Sequence, residues 1–148
     1  VGAQIVDSGN YPLGSGYNGP PRLFRDEDVV WDRPSKDRPD DLSKYDFVKH
    51  AEKNAIAHCY GADLTDATLY VTALPCPNCM LDIIDEQISR VVYFDFQSES
   101  GSSLQNAKWR GKTMELANRA GIKMDVFRGN LNWIADWTVH LRELGVFS

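Results

Sequence analysis

Two short motifs that carry metal-binding side chains constrain this chain more than any other feature. The first is His50-Ala51-Glu52, and the second is Pro75-Cys76-Pro77-Asn78-Cys79. Together they offer one imidazole and two thiolates, and three nitrogen and sulfur ligands of this kind suit a zinc ion. A fold that uses both motifs for one ion must bring the three side chains to a single point.

Each motif alone is weak evidence. Cys-x-x-Cys also occurs as a redox pair or as half of a structural zinc site, and a lone His-x-Glu indicates little. The chain holds one more cysteine, Cys59, and His58 and His140 lack ligand spacing. Three protein ligands leave a fourth position for water, which is typical of catalytic zinc. Two alternative hypotheses are a redox pair and a zinc ion that only joins two helices.

The spacing of the first motif predicts where its helix begins. Residues 44–60 have a helical pattern that ends at Gly61, a typical C-cap residue. Side chains two positions apart in a helix point about 160–200° away from each other. His50 and Glu52 therefore serve one site only if the helix begins near His50. We expect residues 44–49 to form a loop or a first turn.

The second motif predicts another helix that begins at the same site. Pro favours the first helical position, so Pro77 places Cys76 near the N-cap and Cys79 one turn further on. The N–H groups and the positive end of a helix lower the pKa of a thiol, which favours thiolate ligands. Both ligand-bearing elements are then helix N-termini at the carboxyl side of a sheet.

The order of the predicted elements indicates an α/β fold, because strands alternate with helices after an initial hairpin. Strands 3–6 and 12–17 form the hairpin around a turn at 7–10. The remaining predicted strands are 66–73, 90–96 and 121–127. The predicted helices are 44–60, 77–89, 106–120 and a closing amphipathic helix that contains Trp133, Ile134, Trp137, Leu141 and Leu144. Strands and helices in this order predict a sheet covered by helices.

Residues 22–41 differ from the rest of the chain in composition. Twelve of these twenty residues are charged, which is typical of a surface loop. The alternative is a lid that carries a phosphate-binding arginine. Arg22 follows the Gly16-Tyr17-Asn18-Gly19 segment closely and is our candidate for that contact.

Overall composition excludes some classes of function. With 148 residues, of which 43% are hydrophobic, the chain is long enough for one domain with its own core. It has no apolar run near the roughly 18 residues of a membrane span, so no membrane partner is expected. A net charge of −5 argues against a nucleic-acid partner but allows a small anionic ligand. Three cysteines fit a reducing compartment, so we expect a cytoplasmic location.

The two motifs together predict a hydrolytic deamination. His-x-Glu followed by Pro-Cys-x-x-Cys is the signature of zinc deaminases. Zinc lowers the pKa of a bound water towards 7, and Glu52, which is not a ligand, accepts its proton and passes it to a ring nitrogen. Hydroxide attacks the carbon that bears the amino group, and ammonia leaves. An aminopyrimidine or an aminopurine thus becomes its oxo form.

Beyond the motifs, the chain resembles the cytidine and deoxycytidylate deaminase superfamily, and within it the deoxycytidylate deaminases, including phage members. The resemblance rests on residues 1–3, 16–19, 50–56 and 70–79. It implies a mixed five-stranded sheet sandwiched between helices, a single deaminase domain over residues 1–148, and one zinc ion held by His50, Cys76 and Cys79. It also implies conversion of dCMP to dUMP with release of ammonia, which supplies thymidylate synthesis. Alternatives are another nucleoside, base or tRNA deaminase, and a non-catalytic zinc-stapled nucleotide-binding module.

The resemblance further implies substrate contacts and partners. Asn18 contacts the substrate, and the peptide at Ala51 and the carbonyls near Leu74 read the edge of the base. Members of the family are often hexamers that dCTP activates and that dTTP with Mg²⁺ inhibits, so a homo-oligomer and these effectors are expected. They normally begin with a helix before the segment that matches residues 1–3, and we expect such a helix upstream of this sequence.

Overall fold

The computed structural model describes residues 1–94 and 104–129, together with Glu143. The strands are β1 (Gly2–Val6), β2 (Pro12–Tyr17), β3 (Thr68–Val71), β4 (Arg90–Tyr93) and β5 (Lys123–Val126). The helices are α1 (Lys44–Phe47), α2 (Ala51–Ala57), α3 (Pro77–Asp85) and α4 (Leu104–Ala120). The end of the predicted strand 90–96 and the predicted closing helix fall largely outside the described residues.

The five strands form one mixed sheet in the order β2-β1-β3-β4-β5. Strand β1 is antiparallel to both β2 and β3, whereas β3, β4 and β5 run parallel. The hairpin forms because the Asp7 carboxylate accepts hydrogen bonds from the N–H groups of Gly9 and Tyr11, and Asn10 adopts a left-handed φ of 65°. The α/β fold class with a mixed five-stranded sheet is confirmed.

The core lies between one face of the sheet and helices α2, α3 and α4. Alternate residues of each strand point to this face, and Ile5, Leu69 and Val91 have no exposed surface there. Met80 and Ile83 of α3 pack against them in the same cluster, as does Ala117 of α4. Burial of these apolar side chains fixes the helices that carry the two motifs on the sheet.

The helical pattern at 44–60 is interrupted, as the spacing of His50 and Glu52 predicts. Val48 (φ −91°, ψ 113°) and His50 (φ −69°, ψ 153°) are extended, so α1 ends and α2 begins anew at Ala51. Between them, Lys49 exchanges backbone hydrogen bonds with Gly19 at 3.0 and 3.2 Å. This bridge holds the segment after β2 against the start of α2. Helix α2 then ends at Ala57, three residues before the predicted end.

Helix α3 ends at Asp85, earlier than the predicted Ser89. The helix stops because Gln87 takes a left-handed φ of 59°. Its N–H donates to the Ile84 carbonyl, and the Ile88 N–H donates to the Ile83 carbonyl, which is a Schellman ending. Ile88 is therefore buried in the core but lies beyond the helix.

Residues 22–41 form the expected surface segment, with a single 3-10 turn at Asp26–Asp28 among otherwise irregular backbone. Most of its side chains are exposed, and Val29 is the buried exception. No helix among residues 1–94 and 104–129 is long and apolar enough to cross a bilayer.

Candidate active site

Three ligand atoms from the two motifs come together at the start of α2 and α3. The Nδ1 atom of His50 lies 3.5 Å from the Cys76 Sγ and 3.3 Å from the Cys79 Sγ. All three ligand atoms lie within 4.8 Å of one another. Tetrahedral zinc, with bonds of about 2.0–2.1 Å to nitrogen and about 2.3 Å to sulfur, separates such a pair by about 3.6 Å. The cluster has the chemistry and the dimensions that zinc requires.

The local rules of helix initiation explain this convergence. His50 is the N-cap of α2, and Cys76 is the N-cap of α3 with Pro77 in the first turn. Cys79 lies one turn into α3 and is completely buried. Helix α3 follows the carboxyl end of β3, so both helices present their N-termini at the carboxyl side of the parallel strands, as predicted.

The two thiols differ in acidity because they share a hydrogen bond. The pKa of Cys76 is lowered to about 5, first by the bond from the Cys79 thiol and then by backbone N–H groups of Asn78 and Cys79. The pKa of Cys79 is raised, because its thiol donates that bond and lies buried near the Glu52 carboxyl. Cys76 is therefore the sulfur that the helix terminus favours as a thiolate.

Glu52 lies beside the ligand cluster in a buried position. Its side chain belongs to the first turn of α2, and the residue is only 4% exposed. Burial raises the pKa of its carboxyl, and its own backbone N–H and the nearby His50 act in the opposite direction. A carboxyl in such a place is suited to move a proton rather than to act as a surface charge.

Asn18 and Asn54 connect the hairpin to helix α2. The Oδ1 atom of Asn18 accepts a hydrogen bond from the Ala51 N–H at 3.0 Å, so this amide, which we expected to read the base, already has a partner. The Nδ2 atom of Asn54 donates to the Tyr17 carbonyl at 2.9 Å. This bond packs Asn54 of α2 against the end of β2.

Arg22 and Leu74 lie at different depths. Arg22 is exposed and hydrogen-bonds to the Tyr60 hydroxyl, in a cleft of about 720 Å³ that Asn18 also lines. His50 and Cys76 line a neighbouring cleft of about 320 Å³, and Lys49 borders both clefts. Leu74 is buried in the segment that leads to Cys76.

Two further contacts of the site involve residues that the sequence did not single out. Lys53 and Asp82 form an ion pair of 2.7 Å between α2 and α3, the two helices that carry the ligands. Thr113 of α4 donates a hydrogen bond from Oγ1 to the Pro75 carbonyl at 3.0 Å. The opposite charges of Lys53 and Asp82 are a weak sequence signal, whereas nothing in the sequence pairs Thr113 with Pro75.

His58 and Cys59, near the end of α2, lie outside the ligand cluster and take structural positions. The Nδ1 atom of His58 lies 2.7 Å from the Ser15 carbonyl. The Cys59 thiol is buried and donates to the Ala55 carbonyl, and burial raises its pKa. Both side chains therefore secure α2 rather than the ligand cluster.

Comparison with known proteins gives a family match over most of the chain. Residues 1–95 match the family model described as the cytidine and deoxycytidylate deaminase zinc-binding region. This range contains His50, Glu52, Cys76 and Cys79.

Individual relatives agree with the family match. The chain is 40% identical over 93 residues to the deoxycytidylate deaminase of Pongo abelii, a stretch that covers 63% of this chain and 51% of the relative. It is 38% identical over 99 residues to the deoxycytidylate deaminase of Mycobacterium phage D29, covering 63% of this chain and 76% of that protein. The chain thus spans about half the length of the animal relatives that it matches.

A solved structure has the same fold. The dCMP deaminase from the cyanophage S-TIM5, in complex with dCMP and dUMP, superposes with a TM-score of 0.57. The match covers 85% of this chain and 79% of the phage chain at 21% sequence identity. At this identity the likeness concerns the arrangement of the sheet and helices.

Proposed function

The chain belongs to the family of the cytidine and deoxycytidylate deaminase zinc-binding region, and from this premise we propose that it converts dCMP to dUMP. One water molecule is consumed and one ammonia is released. The observation that carries the proposal is the buried Glu52 next to the converged His50, Cys76 and Cys79 atoms. The dUMP would supply thymidylate synthesis.

Zinc is the cofactor that fits this cluster. His50 Nδ1, Cys76 Sγ and Cys79 Sγ would hold it, and the fourth tetrahedral position would remain for water. When bound, the ion supplies a Lewis acid that makes water nucleophilic near neutral pH. The N-terminus of α3 favours the thiolate form of Cys76, whose pKa is lowered to about 5.

Glu52 would move the protons of the reaction. Its carboxylate takes a proton from the attacking water and delivers it to N3 of the cytosine ring while the oxygen bonds to C4. It then takes the remaining proton from the new hydroxyl on C4 and transfers it to the amino group. The C4–N4 bond breaks as the C4 carbonyl forms, and ammonia departs. The buried position of Glu52 keeps bulk water from competing for these protons.

The hairpin and the loop before α3 would bind the substrate. Asn18, which follows β2 and caps the start of α2, would contact the nucleotide. The Ala51 peptide, whose N–H donates to the Asn18 side chain, and the Leu74 carbonyl would read the base edge. Arg22 would contact the phosphate, a role supported by its position in the cleft that Asn18 also lines. The acidic net charge of −5 favours a single nucleotide over a tRNA substrate.

A parallel deamination assay tests this function. Ultraviolet absorbance would follow dCMP, CMP, deoxycytidine and cytidine with the same preparation of zinc-loaded protein. We expect the highest kcat/KM for dCMP and a large loss for the two nucleosides, which lack the phosphate. Equal rates on nucleosides and nucleotides would exclude dCMP as the specific substrate, and no turnover of any of the four would favour a non-catalytic module.

Regulation and assembly are part of the proposal and rest on the family resemblance. We propose a homo-oligomer, a hexamer by analogy, that responds to dCTP and to dTTP with Mg²⁺. The dCMP saturation curve should be sigmoidal and should shift when either effector is added. A hyperbolic saturation curve that neither nucleotide shifts would exclude this regulation but would leave the proposed deaminase activity unaffected. A single domain and a cytoplasmic location also remain predictions, and they rest on the length and the cysteine content of the sequence.

A further inference from the structure

We infer that Thr113 of helix α4 is a positioning residue for the metal ligand Cys76 and acts through the carbonyl of Pro75. The inference rests on the zinc site of the proposed function. The Thr113 Oγ1 donates to the Pro75 carbonyl at 3.0 Å, and neither residue has appreciable exposed surface. Thirty-eight positions separate the two residues in the sequence, so α4 braces a loop of a different part of the chain.

The braced carbonyl belongs to the peptide that joins Pro75 to Cys76. A peptide group is planar, so a hydrogen bond that fixes its oxygen also fixes the nitrogen of Cys76. Cys76 is the extended N-cap of α3, with φ −71° and ψ 163°. The direction of its Cα–Cβ bond, and hence the position of its Sγ, follows from the orientation of this peptide.

The loop between β3 and α3 has few donors of its own near the ligand. Pro75 and Pro77 stand on either side of Cys76, and proline has no backbone N–H. The start of the loop is held by β1, because Thr72 exchanges 2.9 Å hydrogen bonds with the backbone of Gly2. The Thr113 hydroxyl provides the corresponding contact at the end of the loop, next to the ligand.

Burial gives this contact its effect on the metal. Without the hydroxyl, the Pro75 carbonyl would be a buried acceptor that has lost its donor, which favours a shift of the peptide. Helix α4 packs on α3 and the core through Ala117, so the position of Thr113 itself is fixed. Loss of partners that orient metal ligands typically weakens metal binding about 10- to 100-fold.

Two matched pairs of variants test the inference on the full chain. Thr113→Val keeps the shape of threonine and removes the hydroxyl, whereas Thr113→Ser and Thr113→Ala both lack the methyl group and differ in the hydroxyl. The dissociation constant for zinc would be measured by competition with a chromophoric chelator, at a temperature where circular dichroism shows every variant folded. The visible absorption of Co²⁺-substituted protein reports the geometry of the ligands independently.

We expect Thr113→Ser to keep the zinc affinity of the unmodified chain, and Thr113→Val and Thr113→Ala to bind zinc about 10- to 100-fold more weakly with an altered Co²⁺ spectrum. Ile122→Val, which trims a buried side chain of the core, is the control for general loss of stability. It should lower the melting temperature and leave the zinc affinity unchanged. If Thr113→Val does not fold, the Ser and Ala pair makes the same comparison.

Three results would overturn the inference. Equal zinc affinity in all the folded Thr113 variants would show that the hydroxyl does not position Cys76. A loss of affinity in Ile122→Val as large as that in Thr113→Val would show that stability alone is responsible. An unmodified chain that binds no zinc would reject the metal site, and with it the proposed function; the first two results would leave that function intact.

Discussion

The side-chain oxygen of Asn18 accepts a hydrogen bond from the Ala51 N–H at 3.0 Å, although 33 positions separate the two residues. The segment after β2 therefore supplies a cap for helix α2, whose own N-cap residue, His50, makes no capping hydrogen bond with its side chain. Asn18 thus has two roles: it stabilises the helix that begins after His50, and it is the proposed contact with the substrate.

Substitutions of Asn18 should separate these two roles. Asn18→Asp keeps the oxygen that caps Ala51, so we expect an unchanged melting temperature, but it removes the amide N–H and places a negative charge near a phosphorylated substrate. Its kcat/KM for dCMP should fall at least about tenfold. Asn18→Ala should lower both activity and stability, the latter by about 1 kcal/mol in chemical denaturation. Full activity in Asn18→Asp would rule out a substrate contact by the amide.

Replacing Glu52 with Gln should abolish most of the deamination without removing the metal. The two side chains have the same shape, but glutamine cannot accept and return a proton. We expect kcat for dCMP to fall by about 10²- to 10⁴-fold, with zinc content and melting temperature close to those of the unmodified chain. Glu115→Gln, an exposed carboxyl on α4 that pairs with Arg119, is the matched control and should stay fully active. An active Glu52→Gln protein would end the proposed mechanism.

The zinc content of cysteine variants should depend on whether the replaced cysteine belongs to the ligand cluster. Elemental analysis of the purified chain should find one zinc per chain, and Cys76→Ala or Cys79→Ala should reduce it well below one because each removes a ligand. Cys59→Ala is the control, since that thiol bonds to the Ala55 carbonyl and is not part of the cluster. Zinc loss on replacing Cys59, or retention on replacing Cys79, would contradict this assignment.

Gly16 should not tolerate a side chain, because β2 lies directly against α2. A Cβ atom on Gly16 would stand 2.4 Å from the Ala51 carbonyl oxygen and from the Ala55 nitrogen. Because both contacts are backbone atoms of a helix, we expect Gly16→Ala to lower the free energy of unfolding by about 3 kcal/mol. At Gly111, an exposed position of helix α4, an added Cβ atom meets nothing within 4 Å, so Gly111→Ala should instead raise the free energy of unfolding by about 0.5–1 kcal/mol. Urea denaturation of both variants compares the two effects, and equal stabilities would contradict the close approach.

The ligand cluster could be predicted from the sequence because it depends on local rules. Pro77 marks the first turn of α3, and the two-residue spacing of His50 and Glu52 requires a helix start at that point. The end of α4 could also be predicted, because Gly121 takes the left-handed conformation directly after it. The end of α3 could not be predicted, because Gln87 takes the left-handed conformation there without the glycine that usually marks a helix end.

The contacts that brace the site could not be predicted, because they join distant segments. Asn18 meets Ala51 only because Gly19 pairs with Lys49, and that bridge has no sequence signature. Thr113 reaches Pro75 only after α4 has packed on α3. Such contacts depend on how the elements pack in the tertiary structure, and the local sequence pattern of an element does not predict which other element it contacts.

The contact of Gly14 and Gly16 with α2 also restricts how a hairpin of this kind tolerates insertions and deletions. Both glycines face the helix, and residues of a strand alternate between its two faces. A single residue inserted into β2 would turn Ser15 towards α2 and displace the segment that carries Asn18. Residues 8–10 of the turn are exposed, and hydrogen bonds from Gly9 and Tyr11 to the Asp7 carboxylate fix the shape of the turn. A change of length at the turn would disturb these local bonds, whereas a change within β2 would also shift the segment that leads to the candidate metal site.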